Sequence, residues 1–175
     1  FENQLFRNDG TGQLSLDTSS PIASGADSTN ALLAADLDGD GYPEIIVGNN
    51  GQQNQLFRND GTGQLSLDAS SPIMSGTDET WALLSSDLDG DGYPEIIVGN
   101  RHQQTKLFRN DGTGQLSLDT SKPLGKAKAE ALVSVDLDGD GYPEIIVGNR
   151  GQQNQVFRND GTGQLSLEAS SPILN

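Results

Sequence analysis

The sequence predicts an all-β chain, a β-propeller assembled from four-stranded antiparallel blades of about 50 residues each. Two recurring blocks and one missing pattern predict it. The nonapeptide Asp-Leu-Asp-Gly-Asp-Gly-Tyr-Pro-Glu stands at 36–44, 87–95 and 136–144, its copies starting 51 and 49 residues apart. A second block, Leu-Phe-Arg-Asn-Asp-Gly-Thr-Gly-Gln-Leu-Ser-Leu, begins at Leu5, Leu56 and Leu107, and again at Val156 with Val in first place. No segment carries the apolar spacing of a helix.

Each unit reads as four strands. Residues 31–35 are small and apolar, fit for a crowded innermost strand. Residues 44–48 (Glu-Ile-Ile-Val-Gly) are β-branched without alternation, as in a strand covered on both faces. Residues 55–59 suit a half-buried third strand, and 64–67 alternate polar and apolar like an outer one. Between these two, Asn59-Asp60-Gly61-Thr62-Gly63 has the composition of a hairpin turn. In this register residues 1–18 supply only an outer hairpin, and full blades follow at 31–68, 82–119 and 131–168. The whole of 1–175 reads as one propeller segment. A lone hairpin is marginal, and a propeller ring takes about 4–8 blades. Completion by a partner is therefore expected: a homodimer closing the ring, or a longer parent array.

The nonapeptide places carboxylates at its first, third, fifth and ninth positions. In the three copies these are Asp36, Asp38, Asp40 and Glu44; Asp87, Asp89, Asp91 and Glu95; Asp136, Asp138, Asp140 and Glu144. Alternation aims the first three at one centre, and the second Gly allows the bend that returns the fourth. Four clustered carboxylates repel unless a cation neutralises them. Hard oxygen donors without Cys or His select Ca²⁺, one ion per loop and three per chain. The competing reading, a solvated Asp-Gly turn, does not explain three identical copies each running into Ile-Ile-Val. An EF-hand is excluded, because its twelfth position needs Glu where this chain has Val47, Val98 and Val147.

Composition agrees. Of the 25 acidic residues against 10 basic ones, twelve lie in these loops, and three Ca²⁺ ions would take the net charge from −15 to −9. Such a surface is a poor partner for nucleic acid. No apolar run approaches the ~20 residues of a membrane span, residues 1–175 contain no stretch expected to act as a signal peptide, and there is no cysteine among them. Sites of moderate calcium affinity fill outside the cell, so an extracellular or secreted protein is expected. One His and no Cys leave no constellation for nucleophilic catalysis, so the chain is not expected to be an enzyme.

The two blocks resemble the calcium-binding propeller repeats of integrin α-subunits, the FG-GAP repeats, and more nearly their bacterial VCBS-type relatives. The resemblance implies that each acidic loop joins the first two strands of a blade. It also implies that the carbonyls of Tyr42, Tyr93 and Tyr142 complete the metal shell. The ninth position departs from the usual Asp of the family, and Ala34-Ala35, Ser85-Ser86 and Ser134-Val135 stand where integrin repeats carry Phe-Gly. The family includes adhesins, lectins and enzyme appendages, so the fold alone does not decide function.

The repeats vary in the connections at 23–30, 74–81 and 124–130, and in the loops at 49–51, 100–102 and 149–151. Antiparallel geometry puts these variable segments on the face opposite the acidic loops. Loops on a rigid scaffold are where binding concentrates. Trp81, Arg101, His102 and Arg150 are accordingly the candidate ligand-binding residues. Trp81 is suited to stacking on a sugar or anchoring a protein, or alternatively to packing on the next blade. The Gln-Gln-Asn runs at 52–54 and 152–154 suit hydroxyl-rich ligands. The expected function is a calcium-stabilised, lectin-like or adhesive module that recognises a glycan or a cell-surface protein. A structural or repeat-amplified, engineered propeller without a ligand is the alternative, and an appendage of an extracellular enzyme the third reading.

Overall fold

Strand-forming runs of three to seven residues, most of them ended by Asn or Asp, give fourteen strands among the described residues. The computed structural model describes residues 2–121, 124–125 and 128–169. A hairpin comes first, β1 (Leu5–Asn8) with β2 (Leu14–Asp17), followed by three four-stranded antiparallel sheets. Blade 1 is β3 (Thr29–Ala35), β4 (Glu44–Asn49), β5 (Gln55–Asn59) and β6 (Leu65–Leu67). Blade 2 is β7 (Thr80–Ser86), β8 (Glu95–Asn100), β9 (Lys106–Asn110) and β10 (Leu116–Leu118). Blade 3 is β11 (Ala129–Val135), β12 (Glu144–Asn149), β13 (Gln155–Asn159) and β14 (Leu165–Leu167). Strand order within each sheet follows the chain, as in a propeller blade. Phe1 of the leading hairpin, and residues 126 and 127 of the third variable connection, lie outside the described residues.

The innermost strands begin two residues before the small apolar run. Thr29 and Thr80 extend the pairing past a register shift, donating from Oγ1 to Asn49 Oδ1 at 3.0 Å and to Asn100 Oδ1 at 2.9 Å. A 3₁₀ turn stands in each of the first two connections, Pro21–Ala23 and Pro72–Met74. Each pins a buried Ile, Ile22 or Ile73, under the blade edge.

Blades stack face to face, with β7 packed against both β3 and β11. The trailing face of blade 1 (Ala35, Leu37, Ile46, Leu56) forms one core cluster with the leading face of blade 2 (Ile96, Val98, Phe108, Leu116). The next boundary repeats it, with Leu88, Ile97 and Leu107 against Ile145, Val147, Phe157 and Leu165. A third cluster joins Leu5 of the hairpin to Val47 and Phe57. The middle blade is therefore covered on both faces, and all six residues of β8 are buried, Glu95 included. Gly48 permits the close approach of the inner strands, since a Cβ there would stand 2.7 Å from Thr80 Cγ2. The sheets do not close into a ring, and apolar side chains stay exposed at both ends of the stack.

Candidate metal centre

The acidic loops connect β3 to β4, β7 to β8 and β11 to β12. Each folds around its first carboxylate. Asp36 Oδ1 accepts the Gly39 amide at 2.8 Å and its Oδ2 accepts the Gly41 amide at 3.0 Å. Asp87 and Asp136 do the same for Gly90 and Gly92, and for Gly139 and Gly141. These two amides hold the Asp136 carboxyl below the ordinary carboxylate range. Asp40, Asp91 and Asp140 each accept the amide of the following Tyr at 2.8 Å.

The ninth-position Glu is built differently. Glu44, Glu95 and Glu144 are fully buried at the start of their strands. Each directs Oε2 to the amide of the Leu at the loop's second position, Leu37, Leu88 or Leu137, at 2.9–3.0 Å. The second oxygen of Glu44 and Glu95 receives only a long 3.5 Å contact, from the Asn59 or Asn110 amide. Glu144 Oε1 is buried without a partner. Burial pushes the Glu44 and Glu95 carboxyls up, against the pull of those amides.

Carboxylate oxygens converge within 4.8 Å for Asp36, Asp38 and Asp40, for Asp87, Asp89 and Glu95, and for Asp136, Asp138 and Glu144. Asp91 and Asp140 fall outside the two triplets that include Glu. An all-oxygen donor set with a dry carboxylate at its base and an orphaned Glu144 oxygen fits a hard divalent cation. No ninth-position Glu offers both oxygens freely, because one is held by a backbone amide. The side chains of Tyr42, Tyr93 and Tyr142 perform packing: the Tyr93 ring lies between Gly39 of the preceding loop and Gly112 of its own hairpin turn. Tyr142 repeats this with Gly90 and Gly161.

The hairpin turns satisfy themselves. Asp60 Oδ1 accepts the Thr62 amide and hydroxyl and the Gln64 amide, the bonding of a self-capped hairpin turn. Arg58 and Arg109 pair with Asp68 and Asp119, and reach on to carbonyls of the next blade's turn, Gly114 at 2.7 Å and Gly163 at 2.6 Å.

On the opposite face, Trp81 and Arg101 come together, with the guanidinium 4.8 Å from the indole centroid. Trp81 Nε1 and Arg101 Nε are buried without partners. One face of the indole is thus covered by Arg101. His102 stands 3.6 Å from Glu79, and Arg150 3.4 Å from Glu130. In the Gln-Gln-Asn runs the first Gln and the Asn hold the scaffold, and the middle Gln53 and Gln153 are exposed. Gln52 and Gln152 accept the Ser28 and Lys128 amides through Oε1, and Asn54 links the Asn49 amide to Thr80 Oγ1.

A polar groove, not foreseen from the sequence, opens between blades. One copy of about 360 Å³ is lined by Asp38, Arg58, Asp68, Ser71, Thr113 and Gln115. A smaller copy between the hairpin and blade 1 uses the corresponding Arg7, Asp17, Ser20 and Gln64. Ser20 and Ser71 are 6% and 8% exposed, and neither hydroxyl has a partner. Partial repetition of these residues, with Lys122 at the place of Ser20 and Ser71, was the signal in the sequence, and it could not say which side chains meet across a boundary.

No helix among the described residues is long and apolar enough to cross a membrane. Comparison with curated proteins finds no match. Family comparison finds FG-GAP-like repeats at 2–47, 36–98, 87–147 and 136–175, the second and third windows each running from one acidic loop through the next. With blade-like sheets, acidic loops between first and second strands, and four repeat matches spanning nearly its whole length, the chain belongs to the FG-GAP-like repeat family.

Proposed function

We propose that this chain is a calcium-stabilised, propeller-type binding module that works outside the cell and takes a hydroxyl-rich ligand, a glycan. The metal half of the reading is supported by three converging oxygen clusters, two of which include a buried Glu. The observation that carries the ligand half is the repeated groove with its unpartnered, buried Ser20 and Ser71 hydroxyls. Arginine, carboxylate, amide and hydroxyl groups lining the groove match the donors and acceptors of a sugar ring. Asp38 belongs to both the groove and the acidic loop, so calcium and ligand binding are coupled in this reading. Equivalent grooves would give avidity to a multivalent glycan. A glycan array probed in millimolar Ca²⁺ and again in EDTA tests it. Binding lost in EDTA and weakened by Ser71→Val supports it; an array blank under both conditions refutes the glycan reading.

A second reading places a protein ligand on the opposite face, supported by the Trp81–Arg101 pair and the exposed His102 and Arg150. Trp81→Ala separates the two, since it removes binding at that face and leaves the grooves intact. A purely structural array draws support from the glutamines committed to holding loops. No catalytic role is proposed.

A further inference from the structure

The two ends of the blade stack carry the two sides of the outer-strand part of an interface that the stack builds twice internally, since the leading end is a two-stranded hairpin. We propose that the trailing face of blade 3 docks the leading hairpin of a second copy of this chain, head to tail.

On the trailing side, Leu37 of blade 1 and Leu88 of blade 2 are 0% exposed under the following blade, whereas Leu137 of blade 3 is 45% exposed. Ile46 and Ile97 are fully buried, and their counterpart Ile146 is only half-buried. On the leading side, Leu116 and Leu165 are 8% and 4% exposed against the preceding blade, whereas the corresponding Leu14 of the hairpin is 64% exposed. Phe57, Phe108 and Phe157 are buried, and Phe6 is half exposed. Val133, paired with Ile146, is the exposed inner-strand position on the trailing face.

The polar halves match as well. Across each internal boundary an Asn of the third strand donates to a loop carbonyl, Asn110 to Leu37 at 2.8 Å and Asn159 to Leu88 at 2.7 Å. The equivalent donor at the leading end is Asn8, which is exposed, and the equivalent acceptor at the trailing end is the Leu137 carbonyl. Arg58 and Arg109 reach the turn carbonyls of Gly114 and Gly163 in the next blade. Arg158 instead turns back on Asp138 and Glu144, at 3.8 and 3.6 Å, and Gly12 of a second copy offers the carbonyl it lacks. Apolar pair, amide donor and guanidinium acceptor thus recur in register on faces that are open in one chain. An unrelated partner or a lipid surface would have no reason to reproduce that register. Because the two faces differ, the contact is heterologous, and it propagates to a closed ring or an open array.

Light scattering and sedimentation of the full chain, at fixed calcium and from about 1 to 100 µM, test the proposal in the micromolar range that such a joint would reach. The expected wild-type mass is a multiple of 18.5 kDa. Leu14→Glu and Leu137→Ala each remove the apolar contact of one face at an exposed position, the second without adding a carboxylate to the acidic loop, and each should weaken association about tenfold or more. An equimolar mixture of the two variants retains one intact joint and should give a pair of twice the monomer mass, and nothing larger. Should either variant lose its cooperative melt, Leu14→Ser and Leu137→Ser replace them. A monomeric wild type, undiminished association in both single variants, or a mixture that stays monomeric would each overturn the proposal.

Discussion

Asn110 of blade 2 donates its side-chain amide to the Leu37 carbonyl of blade 1 at 2.8 Å, so the third strand of one blade holds the acidic loop of the one before it. Leu37 stands between the first two carboxylates of that loop and is itself fully buried. The contact ties metal site and blade boundary into one unit. Removing the amide with Asn110→Ala strands a buried carbonyl, at an expected cost of about 1–3 kcal/mol. Urea denaturation reads that loss. Calcium titration of the same variant should show one site weakened, the loop of blade 1, with the other two unchanged.

Calcium is expected to raise stability by mass action on the native state. About 2.7 kcal/mol per site applies when free calcium exceeds Kd 100-fold. Thermal melts in EDTA and in millimolar Ca²⁺ should separate accordingly, and calorimetry should count three ions per chain. Asp40→Ala should reduce the count to two, because repeat units contribute quasi-independently. Coincident melts would remove calcium from the account of this fold.

The carboxyl groups give opposite pH dependences in the absence of metal. Burial holds Glu44 and Glu95 above their ordinary 4.5 in the folded chain, so they stabilise it in their protonated form. That contribution is present at low pH and is lost as pH rises through the folded values. For Asp68 and Asp119 burial pulls upward, but the Ser70 and Ser121 hydroxyls and the Arg58 and Arg109 guanidiniums outweigh it and lower both below 3.8. Their contribution is present above the ordinary 3.8 and is lost on acidification below it. In EDTA the melting temperature should therefore rise as pH falls toward the ordinary glutamate 4.5, then drop as pH passes below the ordinary aspartate 3.8. In Ca²⁺ the first rise should vanish, since protons and metal compete for the same oxygens.

Gly39 is fixed by two constraints. Its φ of +74° disfavours any side chain, and a Cβ there would stand 2.8 Å from Tyr93 Cε1. Gly39→Ala should cost about 1–2 kcal/mol for the backbone and a further 1–3 for the collision. In a Tyr93→Ala background only the backbone part should remain. A double-mutant cycle by chemical denaturation gives the difference directly, and strict additivity would remove the ring from the explanation.

Blades, strand order and acidic loops were legible because repetition and alternation are local. The register of 44–48 and 55–59 follows from which residues must be covered, and the loop from where its carboxylates fall. What meets across a blade boundary was not legible. Asn110 and Leu37 lie 73 residues apart, and a recurrent Asn reads equally well as turn chemistry. The recurrent Arg could be assigned to its neighbouring Asp, yet its second contact, with the next blade's turn, left no trace in spacing. The ninth-position Glu was read as a free ligand; its burial and its backbone amide partner arise from the sheet above it. Trp81 stood out by being unique, but the Arg101 that covers it comes from a different loop, closed over it by the Arg101 amide bonding to the Glu79 carbonyl.

The pairing of the single indole with a guanidinium also makes the chain its own optical instrument. Trp81 is the only Trp, it belongs to the middle blade, and it lies on the face away from the acidic loops. Its emission therefore reports one blade and one surface, without labelling. Metal added at the far face should leave the spectrum almost still, whereas a molecule that lifts Arg101 from the ring should shift it. Heating would reveal whether the middle blade, covered on both faces, is the last to expose its tryptophan to water.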